Sequence, residues 1–336
     1  MRGIIQEFDG NQRRHIINVR QQFSVWREDR HALRRMGGMH WKTGPNGQRY
    51  LYATNGRKEK SLGVQSPETE ATFAAHGERI AELRSRIERS KETLDRSARI
   101  SKALYLGRVP TIAARILRRL DDEGLLDGQL MVAGTNALFA YEFGTGVLLG
   151  DDLIATEDLD LLWDWRNRIS FLLSDAQTAG VIGLLRQVDR SFRKRCAFQA
   201  VNADNYLVDL IRPHQPHEVF REPPRLTEAS DEFEPAPIDG LEWLVNAPRY
   251  EEVAIAEDGL PVRIVTIDPR AYALHKVWLS RKANRNTLKR GRDRAQADAV
   301  ARIAVQWLGL SFDASDLTAL PEELMAFASE FAEAVA

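Results

Sequence analysis

The sequence predicts an α+β protein: a mixed sheet carrying helices, preceded by a helical region with a β-hairpin and followed by a helical C-terminal part. Three observations predict it. Apolar strand patterns at Leu130–Ala133, around Asp158 and Asp160, and at Tyr206–Ile211 alternate with runs at helical spacing. A Gly44-Pro45-Asn46-Gly47 turn joins two short aromatic-rich segments. Periodic segments with start signals occupy both ends of the chain.

The 336 residues allow two domains of ordinary size, and 43% hydrophobic with 28% charged residues is a globular composition. No apolar run approaches the roughly 18–20 residues of a membrane span, and the N-terminus lacks the apolar core of a signal peptide. The single cysteine, Cys196, excludes an internal disulfide and a cysteine-built zinc site, so a cytoplasmic location is expected. Cys196 itself is expected in the core. The net charge of −1 hides an asymmetry. Residues 1–110 carry 22 Lys+Arg against 12 Asp+Glu, and the rest of the chain 25 against 36. A basic third on an acidic body suits a polyanion-facing region, or two parts that attract one another.

Residues 13–36 have a helical pattern through Ile16, Ile17, Val19, Phe23 and Trp26, stopped by Gly37-Gly38. The hairpin at 39–63 interleaves Trp41, Tyr50 and Tyr52 with Lys42, Arg49, Arg57, Lys58 and Lys60. That mixture suits stacking on bases and neutralising phosphates. It equally suits a small hairpin whose aromatics pack on a neighbouring helix while its cations are solvated. Ser66-Pro67-Glu68 opens a long helix over 67–100, with Phe73, Ile80, Leu83, Ile87 and Leu94 as a narrow buried stripe, set against the first helix.

Leu106–Pro110 reads as a boundary, and Thr111–Leu120 as an amphipathic helix closed by Gly124. The strand Leu130–Ala133 runs into Gly134-Thr135 and a short helix, Asn136–Phe143. Free N–H groups at such a helix start suit a phosphate. After a loop at Gly144–Thr156, Asp158 and Asp160 alternate with inward-facing Leu159 and Leu161. Two carboxylates on one strand face repel unless a cation sits between them, and a hard divalent ion is the usual answer. Metal beside phosphate is the chemistry of phosphoryl or nucleotidyl transfer.

Ile169–Leu173 and Val181–Leu185 read as helical, and Ala197–Pro213 as a hairpin turning at Asp204-Asn205. Asp209 is the lone charge among Leu207, Val208, Leu210 and Ile211. It is either a solvent-facing residue of an edge strand or a third carboxylate for the Asp158/Asp160 site. Residues 214–240 read as a loop; Trp243–Val245, Val253–Ala256 and Val262–Ile267 as strands. Asp268-Pro269 opens a helix to about Lys282, with Lys276 opposite its apolar stripe of Ala271, Leu274 and Trp278. His275 reads as structural. After the basic turn Arg285–Arg292, a helix runs from about Asp293 to Leu308, and Asp313–Leu320 and Pro321–Ala334 read as short helical pieces.

Gly134-Thr135, then Asp158-Leu-Asp160-Leu, then Val208-Asp209-Leu210 resemble the signature of the DNA polymerase β-like nucleotidyltransferase superfamily: a small-residue turn, an acid-x-acid strand and a third acid on a later strand. More closely, the chain looks like a bacterial group of nucleotidyltransferase-fold proteins through YLY (50–52), KSLG (60–63), LGRVP (106–110), AGTNALFAYE (133–142), TEDLDLL (156–162), ALHK (273–276) and RDRAQA (292–297). That group is distantly similar to the AbiEii/MenT-type toxin nucleotidyltransferases. There a Lys after the third acid and an Asp in a Lys-x-x-x-Asp helix line the nucleotide site; Lys276 and Asp293, four residues after Lys289, match them. Two features depart from the pattern: the turn is Gly-Thr rather than Gly-Ser or Gly-Gly, and the gap from Gly134 to Asp158 is long, making Gly144–Thr156 a flexible or substrate-facing loop.

The resemblance implies a polymerase β-like core at 106–220, a basic N-terminal region at 1–105, and strands with C-terminal helices at 221–336 completing the nucleotide site. It implies transfer of an NMP from an NTP to an acceptor hydroxyl with release of pyrophosphate, Asp158, Asp160 and Asp209 holding two Mg ions, with Mn as a substitute. Gly134, Thr135, Lys276 and Asp293 would hold the nucleotide. The acceptor expected is RNA, a tRNA end included; a protein or small molecule, as for a toxin–antitoxin enzyme, is the alternative. Two non-enzymatic readings stay open: a nucleotide- or nucleic-acid-binding module on the same fold, and a protein whose basic N-terminal helices hold a partner. No membrane partner is expected.

Overall fold

The computed structural model describes residues 4–55, 58–164, 176–214, 231–313 and 317–335. The chain opens with strand β1 (Ile4–Glu7) and helix α1 (Gly10–Arg35). Helix α1 starts three residues before position 13 because Asp9 caps it. The Asp9 carboxylate accepts from the N–H groups of Asn11 and Gln12, and the Gln12 side chain accepts from the N–H of Asp9. Strands β2 (Gly38–Thr43), β3 (Arg49–Asn55) and β4 (Lys58–Val64) then form a three-stranded antiparallel sheet where a hairpin was expected. The third strand is hidden by its charged start, Lys58-Glu59-Lys60, although Asn55-Gly56 before it is a turn signal.

Helix α2 (Pro67–Ala103) is capped by Ser66 and lies along α1. Leu83 and Leu94 are buried there; Ser97 donates to Gln22 at 2.8 Å, and Arg86 pairs with Asp29 at 2.8 Å. Phe73 departs from the expected stripe: it is 38% exposed and meets the Trp41 ring at 5.9 Å.

Helix α3 (Thr111–Asp122) and a 3-10 turn at Leu125–Asp127 lead into β5 (Leu130–Ala133). A second 3-10 turn, Gly134–Ala137, precedes α4 (Leu138–Thr145). Residues 144–156, expected as a flexible or substrate-facing loop, are built of regular elements. They hold β6 (Val147–Leu149), paired with β1, and α5 (Asp151–Ile154). The buried Glu142 fixes them, accepting from the N–H of Leu149 at 2.7 Å and pairing with Arg108 at 2.9 Å. Then come β7 (Asp158–Trp163), α6 (Ala176–Val188), β8 (Arg193–Cys196), β9 (Gln199–Val201), β10 (Leu207–Pro213) and β11 (Ala236–Ile238). Ile169–Leu173 and Arg57 lie outside the described residues.

The central sheet runs β5-β7-β10-β9-β8, with β11 also paired to β10. It is mixed: β7, β10 and β11 are parallel, and the remaining pairs are antiparallel. Cys196, expected in the core, is exposed, because it ends the edge strand β8.

Helix α7 (Leu241–Asn246) replaces the strand expected at Trp243–Val245. Gly240, at φ +84°, turns the chain, and Leu241 and Leu244 are buried at helical spacing that a three-residue pattern cannot reveal. Strands β12 (Arg249–Ile255) and β13 (Pro261–Ile267) form a hairpin, followed by α8 (Pro269–Arg281), α9 (Thr287–Gln306), α10 (Glu322–Met325) and α11 (Ala328–Val335). Helix α9 starts earlier than expected, since Asn286 caps it, so most of the basic turn is helical. Of the helix expected at 313–320, residues 317–320 are turn, and 314–316 are not described. Helix α8 is packed by α7, α9 and α10, so every residue from Pro269 to Val277 is buried.

One apolar core unites these pieces, from Phe8, Ile16 and Phe23 through Leu130, Leu161 and Leu210 to Leu274 and Val300. Among the described residues, no helix is long and apolar enough to cross a membrane.

Candidate active site

The pairing of β7 with β10 builds the site. The strands are parallel with Asp158 opposite Leu207 and Asp160 opposite Asp209, so all three carboxylates leave the same face of the sheet. Leu159, Leu161, Val208 and Leu210 fill the other face and are fully buried. Asp209 is therefore the third acid of the set rather than a solvent-facing residue on a sheet edge; β9 and β7 flank it.

Beside these acids, β5 delivers the Gly134–Ala137 turn. Gly134 adopts φ +62°, and any Cβ there would overlap Asp160 Oδ2. Asn136 reaches across to donate to the Asp158 carbonyl at 2.7 Å, which ties the turn to β7. Thr156 donates to the Asp158 carboxylate, and Gln199 on β9 donates to Asp209 Oδ1 at 2.6 Å.

Helices α8 and α9 supply the opposite wall. The Lys276 ammonium donates to Asp293 Oδ1 at 2.8 Å, and Arg285 donates to Asp293 Oδ2 at 2.8 Å. Lys276 is thus not on a solvated face. Its helix is covered by α7, α9 and α10, and its charge is kept by Asp293 against a burial effect that lowers its pKa. Arg292 and Gln296, one turn apart on α9, each approach Thr135 Oγ1 at 3.3 Å. Together these groups line a polar cleft of about 120 Å³ that includes Gly134, Thr135, Asp158, Asp160, Lys276 and Lys289.

The electrostatics follow from the crowding. Burial, then the charges of Asp158 and Asp209, pushes the Asp160 carboxyl up to about 7, with Lys276 and Lys289 opposing. Asp160 keeps some surface at the cleft mouth, but protein surrounds it. Asp209 is raised by burial and by Asp158, and held down by Gln199, Arg195 and Lys289. Burial lowers His275 to about 3, and its ring stacks on Trp278 at 5.5 Å, a structural position as expected.

Among the described residues, no three Asp, Glu, His or Cys side chains are gathered closely enough to hold an ion as they stand. The donor set nonetheless fits a hard divalent cation. Three carboxylate groups share one face, and the raised Asp160 marks negative charge in want of a counter-ion. Asp209 would exchange Gln199 for that ion.

Of the residues singled out in the sequence, Asp158, Asp160, Asp209, Gly134, Thr135, Lys276 and Asp293 come together here. Trp41, Lys42, Arg49, Tyr50, Lys58 and Lys60 do not; they lie on the separate β2–β4 sheet, outside the cleft. There Lys42 pairs with Glu59, and the Arg49 guanidinium stands over the Trp41 ring at 5.2 Å. Sequence reasoning missed Asn136, Thr156, Gln199, Arg285, Lys289, Arg292 and Gln296. Lys289, Arg292, Asp293 and Gln296 recur at helical spacing on one face, a signal legible once Asn286 is recognised as a cap.

Residues 111–321 match a family model described as nucleotidyltransferase. No curated protein and no solved structure matches the chain. The matched span runs from the first residue of α3 to the start of α10 and takes in the sheet, the turn and both helices of the cleft. The chain belongs to the nucleotidyltransferase family.

Proposed function

We propose that the chain transfers an NMP from an NTP to an acceptor hydroxyl, with pyrophosphate as the other product. The observation that carries this reading is the in-register placement of Asp158, Asp160 and Asp209 beside the Gly134 turn in a chain of this family. Magnesium, or manganese in its place, would be held by the three aspartates and would supply Lewis-acid charge neutralisation at the phosphates. The backbone N–H groups of the Gly134–Ala137 turn and the Thr135 hydroxyl suit a phosphate, and Lys289, Arg292 and Lys276 offset the charge of the triphosphate.

The new bond joins the acceptor oxygen to the α-phosphorus as the bond to the bridging oxygen breaks, and pyrophosphate leaves with that electron pair. The acceptor proton passes to Asp209, the carboxylate beside which the attacking hydroxyl would lie. Asn136 and Thr156 keep the Asp158 strand end fixed while this happens.

The test is incubation of the chain with each labelled NTP, Mg²⁺ and total RNA, alongside D158N and D160N. Label transferred by the parent and lost in both variants, with matching loss of pyrophosphate release, is expected. Equal labelling by parent and variants would remove the mechanism.

A further inference from the structure

The acid face of the sheet does not stop at Asp209. Register carries the Asp160–Asp209 row onto Gln199 and then Cys196, and the Asp158–Leu207 row onto Val201 and then Arg193. The irregularity between Lys194 and Cys196 sets Arg195 beside these rows, near enough for its charge to favour the ionised form of Asp209. Arg190, in the turn before β8, is exposed, as are Arg193 and Arg195. Lys194, paired onto the other face, is tied to the Glu232 carbonyl at 2.8 Å.

Part of the basic surface is tied to acids. Arg27, Arg30, Arg34, Arg86 and Arg118 each have a carboxylate partner at 3.0 Å or closer. Among the described residues, Arg190, Arg193 and Arg195 have none, yet they share the sheet of an acidic site that would repel a polyanion. Edge-strand charges also prevent edge-to-edge pairing, but charges of either sign would serve that purpose. The exposed Arg193 and Arg195, on the margin that continues from Asp209, match a polyanion.

We infer that the β8 edge is the acceptor-binding margin of the site: Arg190, Arg193 and Arg195 take the backbone phosphates of a single-stranded nucleic acid whose terminal hydroxyl is presented to Asp209. The inference rests on the reading of Asp158, Asp160 and Asp209 as the transfer site, and goes beyond it by naming the acceptor class. Gln199, which holds Asp209 at 2.6 Å, lies between the arginines and the acid and is the side chain an arriving acceptor meets first.

The experiment measures binding of short labelled single-stranded RNA, and of DNA of the same sequence, to the full chain by fluorescence anisotropy over a range of salt. Each phosphate neutralised contributes about −0.7 to the slope of log affinity against log salt, so R190Q/R193Q/R195Q should lower the slope by roughly 2 and weaken binding about tenfold or more. The far-UV circular dichroism and melting temperature of the triple variant should match those of the parent, which shows that the fold is intact. R84Q/R99Q, on the exposed face of α2, should leave RNA binding as in the parent. An unchanged slope in the triple variant overturns the inference, as does label transferred to protein by a chain that binds neither RNA nor DNA. Arginine-dependent nucleic-acid binding without any NMP transfer would remove the proposed function while leaving the surface in place.

Discussion

Asp160 Oδ2 occupies the volume that any side chain at residue 134 would need, and Gly134 itself is held at φ +62°. The glycine is required twice, by backbone conformation and by the approach of a carboxylate. G134A should therefore displace Asp160. Transfer should fall about 100-fold, the scale of a misplacement near 1 Å, and unfolding by urea should show a loss of about 1–3 kcal/mol. Unimpaired turnover would mean that the close approach is incidental.

Crowded negative charge should make the metal-free protein pH-sensitive. The Asp160 carboxyl is raised from 3.8 to about 7 in the fold. The folded state thus binds this proton more tightly than the unfolded chain, so stability falls as pH rises from 3.8 and the loss is complete above about 7. D160N should be the more stable protein at neutral pH in chelator, by on the order of 1–3 kcal/mol. Adding Mg²⁺ should narrow the gap. A D160N variant no more stable than the parent at pH 8 in chelator would contradict this.

His275 gives the opposite sign. Its folded pKa is depressed from 6.5 to about 3, so stability is fully present above 6.5 and is lost as pH falls toward 3. H275F should shift the acid midpoint of unfolding downward, followed by tryptophan fluorescence, because Trp243 and Trp278 both contact the ring. A midpoint that does not move would show that other groups govern acid unfolding.

Lys276 and Asp293 are not equal partners. Asp293 also accepts from Arg285, so K276M leaves it paired, whereas D293A leaves a buried ammonium with no carboxylate at hydrogen-bonding distance. D293A should lose about 3–5 kcal/mol in chemical denaturation, and K276M clearly less. The reverse order would place the stabilising role on the lysine.

The elements around the acids were readable because each had a local signature. Leu130–Ala133 is apolar and short, Asp158 and Asp160 alternate with leucines, and Asp268-Pro269 is a helix start. What the sequence concealed is set by packing. Trp243–Val245 is too short to show a period, and the burial of Lys276 depends on helices that cover α8 from three sides. Gln199 and Asn136 carry no local signal either, since each matters only through the strand laid beside it.

Gln296 donates to the Leu153 carbonyl at 2.7 Å across 143 positions of chain, with Arg292 bonded to the Ala155 carbonyl nearby. This latch is also a wall of the cleft. Prying α9 away from its anchor would therefore open that side of the cleft, so the docking of the last long helix and the shape of the cleft stand or fall together.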